Sequence, residues 1–213
     1  MRILVFDTET TGLPEGRNTS IYETSKWPHI IQLGYLIYDT DTKQICSEVD
    51  TYINIPDDVN ISDGSAKIHH ITRQMCNHSG VQIQEALLKF KFLMNTCDCI
   101  VAHNISFDKR MLIVEGIRNN IQMDFKTAEY CTMRKSIDIC KIEKLNKKGE
   151  TYNKFPTLTE LHRHLFNKEP KNTHNAFADI LICLKCYCKI QFDYDVEDVD
   201  NHTKQLCNNY FHD

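Results

Sequence analysis

Ile3-Leu4-Val5-Phe6-Asp7-Thr8-Glu9-Thr10-Thr11-Gly12-Leu13 is the stretch from which the rest of the chain can be read. Its first four residues are apolar and rich in β-branched side chains, the pattern of a buried central strand. Asp7 and Glu9 stand two residues apart at the far end of that run. The side-chain period of a strand is two, so both carboxylates point to one face. Two anions brought close repel, and burying them costs several kcal/mol unless a cation offsets the charge. Oxygen ligands of this kind suit a divalent metal, magnesium or manganese. Asp-x-Glu alone is also common where a strand end simply faces water, so the pair needs partners downstream.

The strand pattern continues outward from this point. Pro14 to Pro28 is polar and reads as a long working or mobile loop over the strand ends. His29–Tyr38 and Ile45–Ile53 are two further strands joined by the turn Asp39-Thr40-Asp41-Thr42, a hairpin. Residues 57–80 are irregular, with short helical turns around Ser65–His69 and Thr72–Cys76. From Val81 the period becomes 3.6. Ile83, Ala86, Leu87, Phe90, Leu93 and Met94 form one stripe and predict a helix packed on the sheet. Cys99–Ala102 is a short buried strand, Ser106–Arg118 a helix, and Phe125–Met133 a further strand. Thr157 and Glu160 supply a capping box for the helix that carries Leu158, Leu161 and Leu165. The last long helix is expected to begin after Asn172-Thr173, with Asn172 or Thr173 as its cap and Phe177, Ile180, Leu181, Leu184 and Cys188 on its stripe.

Composition sets wider limits. A chain of 213 residues with 41% apolar and 25% charged residues is long enough for one domain with a sizeable core. The division expected is a domain over residues 1–190 and an acidic, solvated or disordered extension over 191–213, where Asp193, Asp195, Glu197, Asp198 and Asp200 cluster. A formal charge of −4 gives no basic surface for wrapping duplex nucleic acid, although an enzyme that grips only a chain end needs less. No signal peptide or membrane-spanning run is evident, so the expectation is a soluble intracellular protein, cytoplasmic or nuclear, without membrane contact. The ten cysteines then read as free thiols. Cys183-x-x-Cys186-x-Cys188 and Cys97-x-Cys99 lack a second pair at zinc-ribbon spacing. The most basic segment, Lys141 to Lys154, carries a net charge of +3 and reads as a solvated loop, with contact to a phosphate backbone as the alternative.

Two later stretches answer the first. In Val101-Ala102-His103-Asn104-Ile105-Ser106-Phe107-Asp108 a strand gives way to a helix, with Asp108 in the first turn. The helix dipole alone favours an acid there; delivery of a third carboxylate to the same sheet edge is the functional reading. In His174-Asn175-Ala176-Phe177-Ala178-Asp179, Asp179 flanks an apolar stripe, and an unpartnered buried Asp is rare. Carboxylates from separated segments plus one histidine match a two-metal phosphodiesterase site, in which two cations about 3.5–4 Å apart act on water and phosphate. His174 has the chemistry to take the water's proton. The other histidines, His69-His70 among them, read as surface or packing residues.

These stretches resemble the three motifs of the DEDDh exonucleases of the DnaQ-like family. Lys67-Ile68-His69-His70-Ile71-Thr72 is similar to a further family element, with His70 where glycine is usual, and Pro156-Thr157-Leu158-Thr159-Glu160-Leu161 to another. The resemblance implies an α/β, RNase H-like fold, a mixed five-stranded sheet in order 3-2-1-4-5 flanked by helices. It implies a 3′→5′ exonuclease with two Mg2+ ions, Mn2+ as a substitute. Asp7 would bridge both metals, Glu9 and Asp179 would complete the tighter site, and Asp108 would hold the second. His174 would be the general base. Thr10, Leu13, Asn104 and Phe107 would contact the terminal nucleotide. Nucleic-acid 3′ ends are the implied partner, DNA ahead of RNA; a polymerase partner is unsupported and the oligomeric state is open. An exoribonuclease and a non-catalytic 3′-end-binding module are the alternatives.

Overall fold

In the computed structural model, which describes residues 1–171 and 173–211, β1 (Arg2–Thr10) is the middle strand of a five-stranded sheet. It pairs antiparallel with β2 (Ile30–Asp39), which pairs antiparallel with β3 (Gln44–Tyr52). After α1 (Asp63–His69), α2 (Arg73–Ser79) and α3 (Ile83–Met94), the chain returns as β4 (Cys99–Ala102), parallel to β1 on its other side. Helix α4 (Ile105–Arg118) leads to β5 (Ala128–Cys131), parallel to β4, completing the order β3-β2-β1-β4-β5. This is the expected fold.

The sheet is covered on both faces. Leu4, Phe6 and Ile100 pack with α3 and α4, whereas Ile3, Val5 and Val101 pack beneath the last long helix. The alternation along β1 assigns each residue to a face. Burial of the Ile83-to-Met94 stripe and of Met111 and Val114 on α4 follows the helical period.

Beyond β5, the chain forms α5 (Thr132–Lys135), α6 (Ile137–Cys140), a small hairpin of β6 (Glu143–Leu145) and β7 (Thr151–Asn153), and α7 (Leu158–Phe166). The hairpin replaces the solvated loop expected over Lys141 to Lys154. The capping box of α7 is present, with Thr157 Oγ1 accepting the Glu160 N–H at 3.2 Å and Glu160 Oε2 accepting the Thr157 N–H at 2.8 Å. Helix α8 (Ala176–Phe192) starts two residues later than expected. Its cap is Asn175, not Thr173; Asn172, the other expected cap, lies outside the described residues.

The acidic tail is a second correction. It folds into α9 (Val196–Val199) and α10 (Asn201–Tyr210), which bury Val196, Thr203, Cys207 and Phe211 against α8. Lys185, only 4% exposed, draws the tail in through ion pairs with Asp195 (2.8 Å) and Glu197. Asp195 and Asp200 cap α9 and α10. Several of the charges that suggested a solvated tail are thus capping residues and ion-pair partners.

The long loop after Leu13 is pinned as well. Arg118 donates to the carbonyls of Thr24 (2.5 Å), Trp27 (2.6 Å) and Pro28 (2.8 Å), and Trp27 is buried. The cysteines described are all free thiols. Among the described residues no helix is long and apolar enough to cross a membrane.

Candidate active site

Strand β1 runs on to Thr10, so Asp7 and Glu9 lie within it and share the α8 face of the sheet. Their partners across the ladder are Gly34 and Gln32 on β2. Both partners serve the start of α8. A methyl group on Gly34 would come 3.0 Å from the Ala176 carbonyl carbon and 3.1 Å from the Phe177 nitrogen, so only glycine admits the helix this close. Gln32, fully buried, accepts the Ala176 N–H on Oε1 at 3.1 Å and donates Nε2 to Asp50 at 2.7 Å. Asn175 Oδ1 accepts the N–H groups of Phe177 and Ala178, both at 3.1 Å. With the helix end fixed on three sides, Asp179 in its first turn faces β1. One oxygen each from Asp7, Glu9 and Asp179 lies within 4.8 Å of the others.

Asp108 approaches from the opposite face. Asn104 adopts a left-handed backbone (φ 67°), and α4 begins immediately after it. Asp108 is 3% exposed, and its Oδ1 accepts both the backbone N–H (3.1 Å) and the hydroxyl (2.8 Å) of Thr8. It stands outside the three-residue cluster, yet after burial it is the charge that Asp7 feels most.

The electrostatics of these four acids are uniform in direction. Burial, then the neighbouring carboxylates, holds Asp7 well above the usual carboxylate range. Burial and the charges of Asp179 and Asp108 push Glu9 up to about 8. Asp108 and Asp179 rise to about 7, again mainly through burial, against the opposing hydrogen bonds from Thr8 and from the His174 backbone. Among the described residues none of the four pairs with a lysine or arginine. Asp179 Oδ2 accepts the His174 N–H at 3.2 Å, while its Oδ1 is buried without a hydrogen-bond partner. Orphaned buried oxygen in an all-oxygen, all-anionic cluster fits a hard divalent cation.

His174 is exposed, in a left-handed conformation (φ 72°), and is tied to the cluster through its main chain. Its neighbour His69 was not expected to take part. His69 is buried, accepts the Ile71 N–H on Nδ1 at 3.0 Å, and lines a cavity of about 500 Å³ together with Thr8, Glu9, Thr10, Leu13 and Phe107. Burial lowers its pKa, and Nδ1, which accepts an N–H, carries no proton. Ser62, the cap of α1, and Ser65 within it also line this wall. His70 ends α1 at φ 58°, the left-handed position that explains why glycine is usual there.

A second cleft of about 560 Å³ adjoins the first, and Leu13 and Phe107 line both. Leu13 is 81% exposed and stands free as a partition between them. Of the expected nucleotide contacts, Thr10, Leu13 and Phe107 face the first cavity and Asn104 faces the second. The Thr10 hydroxyl is already committed to the Gly12 carbonyl at 2.7 Å. Gln32 and Phe155, which lines the second cleft, were not foreseen. Neither belongs to a motif, and their roles follow from packing between distant segments.

Comparison with known proteins bears on this arrangement. The RNase T family model, described as an exonuclease, matches residues 4–187. Among curated proteins no sequence matches the chain. Solved structures that share the fold include Escherichia coli exonuclease I in complex with a 5cy-dT13 oligonucleotide, 17% identical, with a TM-score of 0.66 over 90% of this chain and 41% of that one. The same protein in complex with a dA16 oligonucleotide is 17% identical, with a TM-score of 0.65 over 96% of this chain and 45% of that one. A product-bound exonuclease I is 15% identical, with a TM-score of 0.64 over 98% and 45%. The chain therefore spans less than half the length of these proteins, and the likeness to them is one of fold.

Proposed function

The chain belongs to the RNase T family of exonucleases, and from that premise we propose that it is a metal-dependent 3′→5′ exonuclease that releases nucleoside 5′-monophosphates, with DNA as the favoured substrate. The observation that carries this reading is the convergence of Asp7, Glu9 and Asp179 within 4.8 Å, beside Asp108 and at the wall of a cavity of about 500 Å³. DNA is favoured because the solved relatives of this fold are described in complex with dT13 and dA16 oligonucleotides.

A pair of divalent cations, Mg2+ or Mn2+, would supply Lewis-acid charge to the phosphodiester, its attacking water and the leaving 3′ oxygen. Asp7, Glu9 and Asp179 would hold one ion, and Asp7 with Asp108 the other. Thr8 fixes Asp108 for this duty through two hydrogen bonds to one of its oxygens. His174, exposed and tied to Asp179 through its main chain, takes the proton of the attacking water. Leu13 and Phe107 wedge the terminal base away from its neighbour, since each borders both cavities.

The test is a set of matched 5′-labelled single-stranded DNA, duplex DNA and RNA incubated with Mg2+ and then with Mn2+. Products shortened stepwise from the 3′ end, with DNA degraded fastest, are expected. Faster loss of RNA would make the protein an exoribonuclease. Binding without cleavage in either metal would leave only a 3′-end-binding module.

A further inference from the structure

The basic segment between Lys141 and Lys154 takes no part in the chemistry above, yet it is fastened to the site. The Lys154 N–H bonds the Ile142 carbonyl at 2.9 Å and closes the β6–β7 hairpin. Two residues on, the Pro156 carbonyl lies 3.1 Å from His103 Nε2. A carbonyl only accepts, so Nε2 carries the proton, and Nδ1 faces the Thr132 hydroxyl at 3.0 Å. His103 immediately precedes Asn104, which anchors the foot of the hairpin to the junction that delivers Asp108. Phe155, between hairpin and anchor, is half exposed and lines the second cleft with Leu13, Asn104 and Phe107.

The hairpin is also stiff at its tip. Asn146 Oδ1 accepts the N–H groups of Lys148 (2.8 Å) and Glu150 (3.0 Å), and Gly149 takes the positive φ of 80° that the turn requires. Lys147 and Lys148 are held out at that turn. Lys144 pairs with Tyr152 across the ladder, so cation and aromatic ring share one face. Lys144, Lys147, Lys148 and Tyr152 are exposed, and among the described residues these lysines make no ion pair; Lys154 instead pairs with Glu160.

A solvated hairpin accounts for the charge but not for the exposed Leu145 and Tyr152 among unpaired cations, nor for the exposed Phe155 that lines the second cleft at the hairpin's foot. Cations with interleaved aromatic rings are what a single-stranded nucleic acid needs: phosphates meet lysine, and unstacked bases lie on rings. Duplex bases are stacked on each other and offer no face. We propose that this hairpin and Phe155 grip the single-stranded nucleotides 5′ of the terminal one, an inference that rests on the exonuclease reading. The strand leaves the terminal pocket past Leu13, stacks a base on Phe155 in the second cleft, and runs along Lys144, Lys147 and Lys148.

The test measures binding of a 5′-fluorescein oligothymidylate of about a dozen residues in EDTA by anisotropy, between about 50 and 200 mM salt. Wild type, the Lys144→Ala/Lys147→Ala/Lys148→Ala variant and Phe155→Ala are compared, with thermal melting as the folding control for these exposed positions. Each phosphate contact contributes about 0.7 to the salt slope of a single strand, so the triple variant loses about 2. Loss of one stacked base weakens binding by about tenfold in Phe155→Ala. Unchanged affinity and slope in both variants, or no binding by wild type, would overturn the grip. The exonuclease reading is scored separately, by wild-type release of p-nitrophenol from p-nitrophenyl thymidine 5′-phosphate in Mg2+. Release with unaltered variants sinks the hairpin alone; altered variants without release sink the catalytic reading alone.

Discussion

Thr8 and Asp108, one hundred residues apart, are joined twice, through the Thr8 backbone N–H at 3.1 Å and its hydroxyl at 2.8 Å, both on the same carboxylate oxygen. This is the link that carries the α4 acid over the sheet to the acids of β1. The two bonds also lower the pKa of a carboxylate that burial raises. Thr8→Val removes the hydroxyl bond and keeps the volume. It should cost about 1–2 kcal/mol in unfolding free energy, because the remaining partner is buried. It should also shift the acid limb of the pH–rate profile upward. A profile with an unmoved acid limb would mean that Asp108 takes no part in the titrating step.

Without metal, the four acids make stability depend on pH in a defined direction. In the unfolded chain they ionise near pH 4, whereas in the folded chain Glu9 holds its proton to about 8 and Asp108 and Asp179 to about 7. Between these limits the folded state binds more protons than the unfolded one, so stability falls as pH rises from about 4 to about 8. Melting in EDTA should show that fall, and Mg2+ should raise the midpoint more at pH 8 than at pH 5. Asp7→Asn removes an acid that burial and three neighbouring carboxylates hold well above its usual range. It should flatten the slope in EDTA and raise the midpoint at pH 8, by ~2–4 °C for each kcal/mol of repulsion relieved. It should also abolish nucleotide release. A metal-free protein that gains stability over the same range would contradict the burial of these acids as neutral groups.

Gly34→Ala tests how Asp179 is positioned. The added methyl group meets backbone at 3.0–3.1 Å, where no flexible side chain can yield. The first turn of α8 must retreat by a few tenths of an ångström, at a cost of about 1–3 kcal/mol. Mg2+ affinity should weaken while the far-ultraviolet circular dichroism stays that of wild type. Unaltered metal affinity in a folded, destabilised variant would show that α8 tolerates displacement.

His174→Ala should depress turnover by about 10²–10⁴-fold with little change in affinity for a 3′ end, because a general base acts on the water and not on the bound strand. Equal losses in both would make the His174 ring a structural element of the site and not the base.

The sheet and most of the acid cluster were legible because each depends on local pattern. The alternation of β1 assigns Asp7 and Glu9 to one face, the 3.6 period of α3 and α4 marks their buried sides, and Thr157 with Glu160 announces α7. What could not be read depends on distant partners. Thr173 is as good a cap in sequence as Asn175, and Asn175 serves because Gln32 and Gly34 on β2 receive the helix there. The tail looked solvated because Asp193, Asp195, Glu197, Asp198 and Asp200 crowd its first half. Only the position of buried Lys185 turns Asp195 and Glu197 into anchors. His69 carries no sequence signal beyond its place beside His70, and its burial at the cavity wall follows from how α1 docks over Thr10 and Gly12.

The most direct measurement is calorimetric titration of Mn2+ into the wild-type protein and into Asp7→Asn at neutral pH. Acids drawn from β1, α4 and α8 to hold a cation pair predict two ions bound per wild-type chain, with protons released on binding, and loss of at least one ion in Asp7→Asn. No Mn2+ uptake by wild type, or the same stoichiometry and heat in Asp7→Asn, would contradict the account.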